Sequence, residues 1–211
     1  MHPLEVKVVE LLVALIPCAE MVRFSENGSD VTSAGIRVAR AYTGREKAAK
    51  CGYHGAQDGN MVSTSRDWGV PRFHEELLFE FKYNQIKILD EIFAEHSGDI
   101  SAVIIEPSIP EEPQDEILQH VMNLAHRDGA VLIFDEVKSE FSEGLGGAQE
   151  YYDVVPDLAA IGKAMANGMP ISALVGRKKI MKKLETVFFS MIFGGEVLSL
   201  AATLSTTQEL R

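Results

Sequence analysis

The apolar positions of the chain fall into helical and strand-like runs that alternate from end to end. Leu4, Val8, Leu11, Leu12 and Leu15 recur at helical spacing before Pro17, which predicts a helix over 4–16 with one buried face. Met21 to Ser25 is a short β-prone run, and after Asn27-Gly28 the residues Val31, Ala34, Val38, Ala41 and Tyr42 return to helical spacing. Strand, glycine turn and helix are expected in that order. A second β-prone run, Lys47 to Cys51, leads into a long irregular stretch, Gly52 to Arg72, rich in Gly, Ser, Asp and Asn. Ordered loops of that length are commonly functional. Ile86, Leu89, Ile92 and Phe93 predict a helix closed at Ser97-Gly98, followed by a buried strand from Ala102 to Ile105. Pro113 opens the next helix, whose apolar face carries Ile117, Leu118, Val121, Leu124 and Ala125 as far as Gly129. Strands are expected at 130–134, 158–161 and 171–175, and helices near 177–184 and 197–210. Strands separated by helical crossovers imply an α/β domain on a mostly parallel sheet. No repeat, low-complexity tract or linker divides the chain, so a single domain over 1–211 is expected.

Composition narrows the partners. A hydrophobic fraction of 46% fits a folded domain, and the longest apolar stretch, Leu11 to Pro17, is too short to span a bilayer. The 20 Lys+Arg against 31 Asp+Glu give a formal charge of −11, which argues against a nucleic-acid backbone as partner. A small phosphate-bearing ligand stays open, because backbone amides can bind it. Cys18 and Cys51 stand in neither CxxC nor zinc-type spacing, and the N-terminus lacks the features of a signal peptide. A reducing cytoplasm, without membrane or metal, is the expected setting.

In an open parallel sheet, ligands collect at the carboxyl ends of the strands. Asn27-Gly28-Ser29 occupies such an end and reads either as a phosphate cup or as an ordinary helix cap made by Ser29 or Asp30. Asp135 and Glu136 follow the apolar run Val131-Leu132-Ile133-Phe134, as ligand-facing carboxylates or as turn residues bonded to nearby amides. Lys163 follows Leu158-Ala159-Ala160-Ile161-Gly162 and is flanked by Ala164, Ala166 and Gly168. It is either a lysine desolvated by small neighbours and poised to form a Schiff base, or a solvated surface side chain. Tyr53-His54-Gly55 opens the long loop, where a ring could meet a planar ligand or simply pack. Gly144-Leu145-Gly146-Gly147 is a weak phosphate-loop match that reads better as a hinge, and His74-Glu75-Glu76 lacks the second histidine of a zincin.

Taken in order, these pieces form one pattern. It includes Asn27-Gly28-Ser29-Asp30, Ala39-Arg40-Ala41-Tyr42-Thr43-Gly44-Arg45, Tyr53-His54-Gly55, Ile105-Glu106-Pro107 and Phe134-Asp135-Glu136-Val137. Gly146-Gly147-Ala148-Gln149-Glu150-Tyr151, Pro156-Asp157-Leu158, Gly162-Lys163 and Phe193-Gly194-Gly195 continue it. The chain thereby resembles the class III branch of fold-type I pyridoxal-phosphate enzymes, in particular glutamate-1-semialdehyde 2,1-aminomutases and their aminotransferase relatives. The resemblance implies a three-layer α/β large domain and pyridoxal 5'-phosphate as cofactor. It implies amino-group transfer between a small-molecule donor and acceptor (an amino acid, amino-aldehyde or keto-sugar) in a homodimer.

By the same resemblance, Lys163 would be the Schiff-base lysine and proton carrier, and Asp135 would keep the pyridine nitrogen protonated. Gly28 and Ser29 would hold the phosphate, with Asn27 beside them. Tyr53 and Val137 would flank the ring, His54 would lie nearby, and Glu106 would stand at the adjoining strand end. The chain also departs from the family. Lys138-Ser139-Glu140-Phe141-Ser142 stands where Thr-Gly-Phe-Arg is common, Ile192 where a threonine usually reaches the neighbouring subunit's phosphate, and Ala56 and Gly59 where aromatics are frequent. Members of the family are longer, with an N-terminal segment and a C-terminal small domain around the large domain. A catalytically silent binding or assembly module is therefore the alternative expectation.

Overall fold

The computed structural model describes residues 2–114 and 116–211. Helix α1 (Pro3–Leu15) opens at His2, whose Nδ1 accepts from the Leu4 N–H at 3.2 Å, and Pro3 sits where a missing N–H costs nothing. There follow β1 (Met21–Ser25), α2 (Gly28–Thr43), β2 (Lys47–Cys51), the short α3 (Asp58–Met61), β3 (Leu78–Glu80), α4 (Ile86–Glu95) and β4 (Ile100–Ile105). The second half comprises α5 (Ile117–Asp128), β5 (Val131–Glu136), α6 (Gly147–Tyr151), β6 (Leu158–Ile161), β7 (Ser172–Gly176), α7 (Lys178–Met181) and α8 (Val197–Glu209). Single 3-10 turns lie at Arg72–Glu76, Lys163–Met165 and Lys182–Glu185.

The strands form one seven-stranded sheet in the order β1-β7-β6-β5-β4-β2-β3. Strand β7 runs antiparallel to both of its neighbours, and the remaining pairs are parallel. The alternation of side chains along each strand divides the core in two. Val103, Ile105, Leu132 and Phe134 pack with Val8, Leu12, Leu89, Val121 and Leu200, which places α1, α4, α5 and α8 on one face. Ala102, Ile104, Val131 and Ile133 pack with Val31, Ile36 and Val38 of α2 and with Ile180 and Met181 of α7 on the other. This is the three-layer α/β architecture expected. Each fully buried aliphatic or aromatic side chain contributes about 1.5–3 kcal/mol, so the central strands, buried on both faces, anchor the fold.

Several boundaries move. Asp135 and Glu136 are the last residues of β5 rather than the start of a turn. The helix expected at 177–184 divides into α7 and a 3-10 turn. The helix after Pro113 begins only at Ile117, because Glu116 takes a left-handed conformation with φ 53°; Asp115, on that same stretch, lies outside the described residues. Strand β3 was not expected: its three residues pair with β2 and are too few to show an alternation. No described helix is long and apolar enough to cross a membrane.

Candidate active site

Strand β5 carries Asp135 to the carboxyl edge of the sheet, opposite Ala160 of β6. The two-residue period decides which carboxylate does what: Asp135 turns toward α2, and Glu136 toward the opposite layer. On the α2 side, buried His54 places Nδ1 2.8 Å from Oδ2 of Asp135. The histidine is fixed from behind, since Thr32 Oγ1 and Asn60 Nδ2 donate to its carbonyl oxygen at 2.7 and 2.8 Å. Its Nε2 is buried without a partner among the described residues. The Val137 N–H donates to Asp135 Oδ1 at 3.2 Å. A carboxylate offers about four acceptor sites, so Asp135 keeps room for one more donor, such as a protonated ring nitrogen.

The first turn of α2 abuts this carboxylate. Asn27 caps the helix by accepting from the Asp30 N–H at 3.1 Å, and Ser172 Oγ donates to the Asn27 carbonyl at 2.8 Å. A Cβ on Gly28 would lie 2.6 Å from Cγ1 of Val137, so the helix can close on the end of β5 only with glycine there. The first amides of α2 have no intrahelical acceptor, which suits them to an anion. Gly55, at φ 95°, passes so close to Ser29 that any side chain would collide with it, and the Ala56 N–H donates to Ser29 Oγ at 2.8 Å. The helix cap is thus made by Asn27, not by Ser29 or Asp30 as the sequence suggests, because the Asn27 side chain reaches the Asp30 N–H first.

Lys163 begins the 3-10 turn after β6, with φ 41°. A Cβ on the preceding Gly162 would stand 3.5 Å from Cγ1 of Val137, so Gly28 and Gly162 back onto the same valine. That shared contact brings the start of the Lys163 turn and the first turn of α2 to one valine. The small residues do not enclose the lysine, however. The turn directs Met165 and Ala166 into the core and leaves the Lys163 side chain exposed, so of the two readings of this lysine the solvated one is the one observed. Tyr53 is 59% exposed, leaving its ring accessible, and its N–H donates to Glu106 Oε2 at 2.9 Å. Glu106 thus holds the start of the loop rather than facing solvent freely. Ile192, where a phosphate-reaching threonine was expected, is 90% exposed.

Behind the site, Glu136 accepts from the Ala148 N–H at 2.6 Å and from Gln149 Nε2 at 2.8 Å, while Gln149 Oε1 accepts from the Cys18 N–H at 3.0 Å. Burial pushes the Glu136 carboxyl up to about 7. Glu140, one turn further, is buried with both oxygens unpartnered, and burial together with Glu136 raises it well above the carboxylate range. Gly147 lies against both carboxyls, and any side chain there would collide with them.

These features meet in a single family pattern. The sequence model for class III aminotransferases matches residues 2–211. The chain belongs to the class III aminotransferase family. Among its relatives, 3-aminobutyryl-CoA aminotransferase of Cloacimonas acidaminovorans is 41% identical over 192 residues, 88% of this chain and 46% of that protein. Glutamate-1-semialdehyde 2,1-aminomutase of Desulforamulus reducens is 34% identical over 229 residues, 99% of this chain and 52% of the relative. The chain therefore spans about half the length of the curated relatives it matches. A solved transaminase with pyridoxal phosphate bound superposes over the whole chain at a TM-score of 0.93 and 28% identity, with 54% of its own length covered. Membership in the class III aminotransferases and this cofactor-bound neighbour support pyridoxal 5'-phosphate as the cofactor. The acceptor capacity of Asp135, the orphaned His54 Nε2 and the amide-lined turn at Gly28 are compatible with a phosphorylated pyridine.

Of the residues expected at a class III site, Asn27, Gly28, Ser29, His54, Asp135, Val137 and the Gly162-Lys163 junction converge, and Tyr53 and Glu106 form the adjoining rim. Thr32, Asn60 and Ser172 were missed. Thr32 lies one helical turn from Gly28 and could have been inferred from that spacing, whereas Asn60 and Ser172 carry no local signal.

Proposed function

We propose that the chain is the cofactor-binding domain of a pyridoxal-phosphate-dependent aminotransferase or aminomutase. It would move an amino group to or from an amino acid, amino-aldehyde or keto-sugar, in the cytoplasm and as a homodimer. The observation that carries this reading is the buried Asp135–His54 pair, 2.8 Å apart, at the end of a central strand whose next residue, Val137, is packed by both Gly28 and Gly162. The bound cofactor supplies an electron sink for charge developing on the substrate carbon that carries the amine. Asp135, oriented by His54, would hold a proton on the ring nitrogen, and the hydrogen bonds from Thr32 and Asn60 keep the histidine from turning away. Gly28 and Ser29 would bind the phosphate through backbone amides and a hydroxyl. Tyr53 and Val137 would lie against the two ring faces and exclude water from them. Lys163, at a strand end and free of ion pairs among the described residues, would attach the cofactor and then carry a proton at its Nζ.

The test is a visible absorbance spectrum of the purified chain with pyridoxal phosphate, before and after borohydride, beside Lys163→Ala. A borohydride-sensitive band in the wild type, with cofactor mass retained on the Lys163 peptide, is expected. An absent band, or one unchanged in Lys163→Ala, would overturn the reading. Saturating the loaded chain with a panel of amino donors separates the alternatives: conversion to the pyridoxamine form marks a transferase. A stable cofactor complex without conversion marks the silent module, for which Ile192 and the altered Lys138–Ser142 turn would be the reason.

A further inference from the structure

A second cavity, of about 180 Å³, lies between the outer face of α2 and the loop segment that contains α3 and the turn at Arg72–Glu76. Ser33, Arg37 and Arg40 enter it from successive turns of α2, and Gln57, Asn60 and His74 close it from the loop. No carboxylate lines it, in a chain whose formal charge is −11. The guanidinium groups are only partly employed. Arg37 donates to the Phe188 carbonyl at 3.1 Å and Arg40 to the Glu46 carbonyl at 2.6 Å, and neither forms a salt bridge among the described residues. Each guanidinium has five N–H donors in a rigid fork. Burial and the neighbouring Arg37 push the Arg40 guanidinium below its ordinary value, with Glu46 opposing, as expected for cations brought together without a full counter-charge.

The surroundings strengthen the positive field. Lys50 is buried beneath Asn60, its Nζ donating to the Asn60 carbonyl at 2.9 Å. Of the acids nearby, Glu75 pairs with Arg72 at 2.7 Å, Glu46 acts on Arg40 through its charge, and Asp30 accepts from Ser25 and Asn27 of the helix cap and from Gln57 Nε2 at 3.4 Å. The cavity is smaller than the roughly 300–1,000 Å³ typical of drug-sized ligands, so its occupant is a small ion or the end of a larger molecule.

We propose that this cavity binds a phosphoryl oxyanion, either free inorganic phosphate or the terminal group of a phosphomonoester, separately from the phosphate turn at Gly28 and Ser29. A phosphate offers the fork geometry that arginine pairs with bidentately, and the Ser33 hydroxyl, the second N–H of the Gln57 amide and the His74 ring can donate to its remaining oxygens. Occupancy would also reach the first site, because Asn60 Nδ2 bonds both Ser33 Oγ at 3.3 Å and the His54 carbonyl at 2.8 Å. A phosphate that accepts from the Ser33 hydroxyl fixes Ser33 Oγ as the acceptor for Asn60, and through Asn60 the histidine that orients Asp135.

The experiment titrates inorganic phosphate and glycerol phosphate into the full chain, with binding followed by ³¹P line width and by hydrogen exchange of residues 57–60. Wild type, Ser29→Ala, Arg37→Gln and His74→Ala are compared. Saturable binding that protects 57–60, persists in Ser29→Ala and weakens at least tenfold in Arg37→Gln is expected. Arg37 is exposed, so its replacement leaves the core intact, and His74→Ala tests the opposite wall independently. Binding by inorganic phosphate alone would assign the free ion; binding by both probes would assign a phosphomonoester end. Equal affinity in Arg37→Gln and His74→Ala, or loss of all binding in Ser29→Ala, would overturn the proposal. Neither outcome bears on whether Lys163 attaches the cofactor.

Discussion

At the residue scale, the approach of Gly28 to Val137 is the contact that joins α2 to the end of β5. A methyl group at residue 28 would stand 2.6 Å from a valine methyl, so either the first turn of α2 or the end of β5 must retreat. Gly28→Ala is expected to weaken pyridoxal phosphate binding by roughly tenfold, a loss of about 1.4 kcal/mol, while α2 still forms; equilibrium dialysis against the cofactor measures it. Unchanged affinity would show that the phosphate does not use this turn. His54→Ala removes the side chain that aligns Asp135 and leaves the carboxylate itself in place. Its expected signature is a shifted visible band in the loaded chain with the lysine attachment retained, and a wild-type spectrum would mean that Val137 alone orients Asp135. Both residues were legible in the sequence because the functional positions follow strand ends directly. Asn60 was not, since its importance lies in a bond to the carbonyl of His54, six residues back across a loop with no periodicity.

At the scale of elements, β5 shows how a strand sorts adjacent carboxylates. Asp135 and Glu136 were indistinguishable as a dipeptide, and the two-residue period, once β5 is extended to its true end, sends one to the candidate site and the other into the opposite layer. There Glu136 shares a buried pocket with Glu140, and the charged groups around the pair are Asp135 and Glu150, with the Cys18 thiol beside them. No cation is among these groups. A carboxyl raised from 4.5 to about 7 by burial binds its proton more tightly in the folded state. Its contribution to stability is full below pH 4.5, is lost as pH rises toward 7, and for Glu140 continues to fall above that. Urea denaturation of the wild type is expected to show a stability lower at pH 8 than at pH 5.5 by about 1–3 kcal/mol. Glu140→Gln, which keeps the shape and removes one titration, should flatten that slope, and identical slopes for the two proteins would refute the shared pocket. The long strands and helices were readable because burial repeats along them. Strand β3, α3, α6 and the 3-10 turns were not, being shorter than the period needed to reveal a face.

Across the whole molecule, charge and apolar surface are unevenly spread in ways that totals conceal. The net charge hides a basic string, Arg177, Lys178, Lys179, Lys182 and Lys183, at the end of the sheet away from the candidate site. One run of exposed apolar side chains lies between Phe188 and Leu198, where Phe188 is 82% and Ile192 90% exposed and Phe193 and Leu198 are also open, while Trp68, Phe73 and Tyr53 are exposed on the long loop. A monomer rarely leaves such side chains together in water, and a stable interface needs about 800 Å² from each partner. If the proposed homodimer buries this segment, Ile192 is carried toward the partner's cofactor turn, where an isoleucine can fill space but cannot donate a hydrogen bond. Ile192→Thr is then expected to tighten pyridoxal phosphate binding about tenfold, since a hydrogen bond to a charged group is worth about 1.5–3 kcal/mol. The gain should appear only under conditions where sedimentation velocity shows a dimer, and Leu198→Asp should abolish dimer and gain together. A monomeric wild type at tens of micromolar, or a gain in affinity that survives Leu198→Asp, would show that the segment serves its own subunit. The distinction matters because a site completed across an interface binds its cofactor more weakly on dilution, whereas one confined to a single chain keeps its affinity at every concentration.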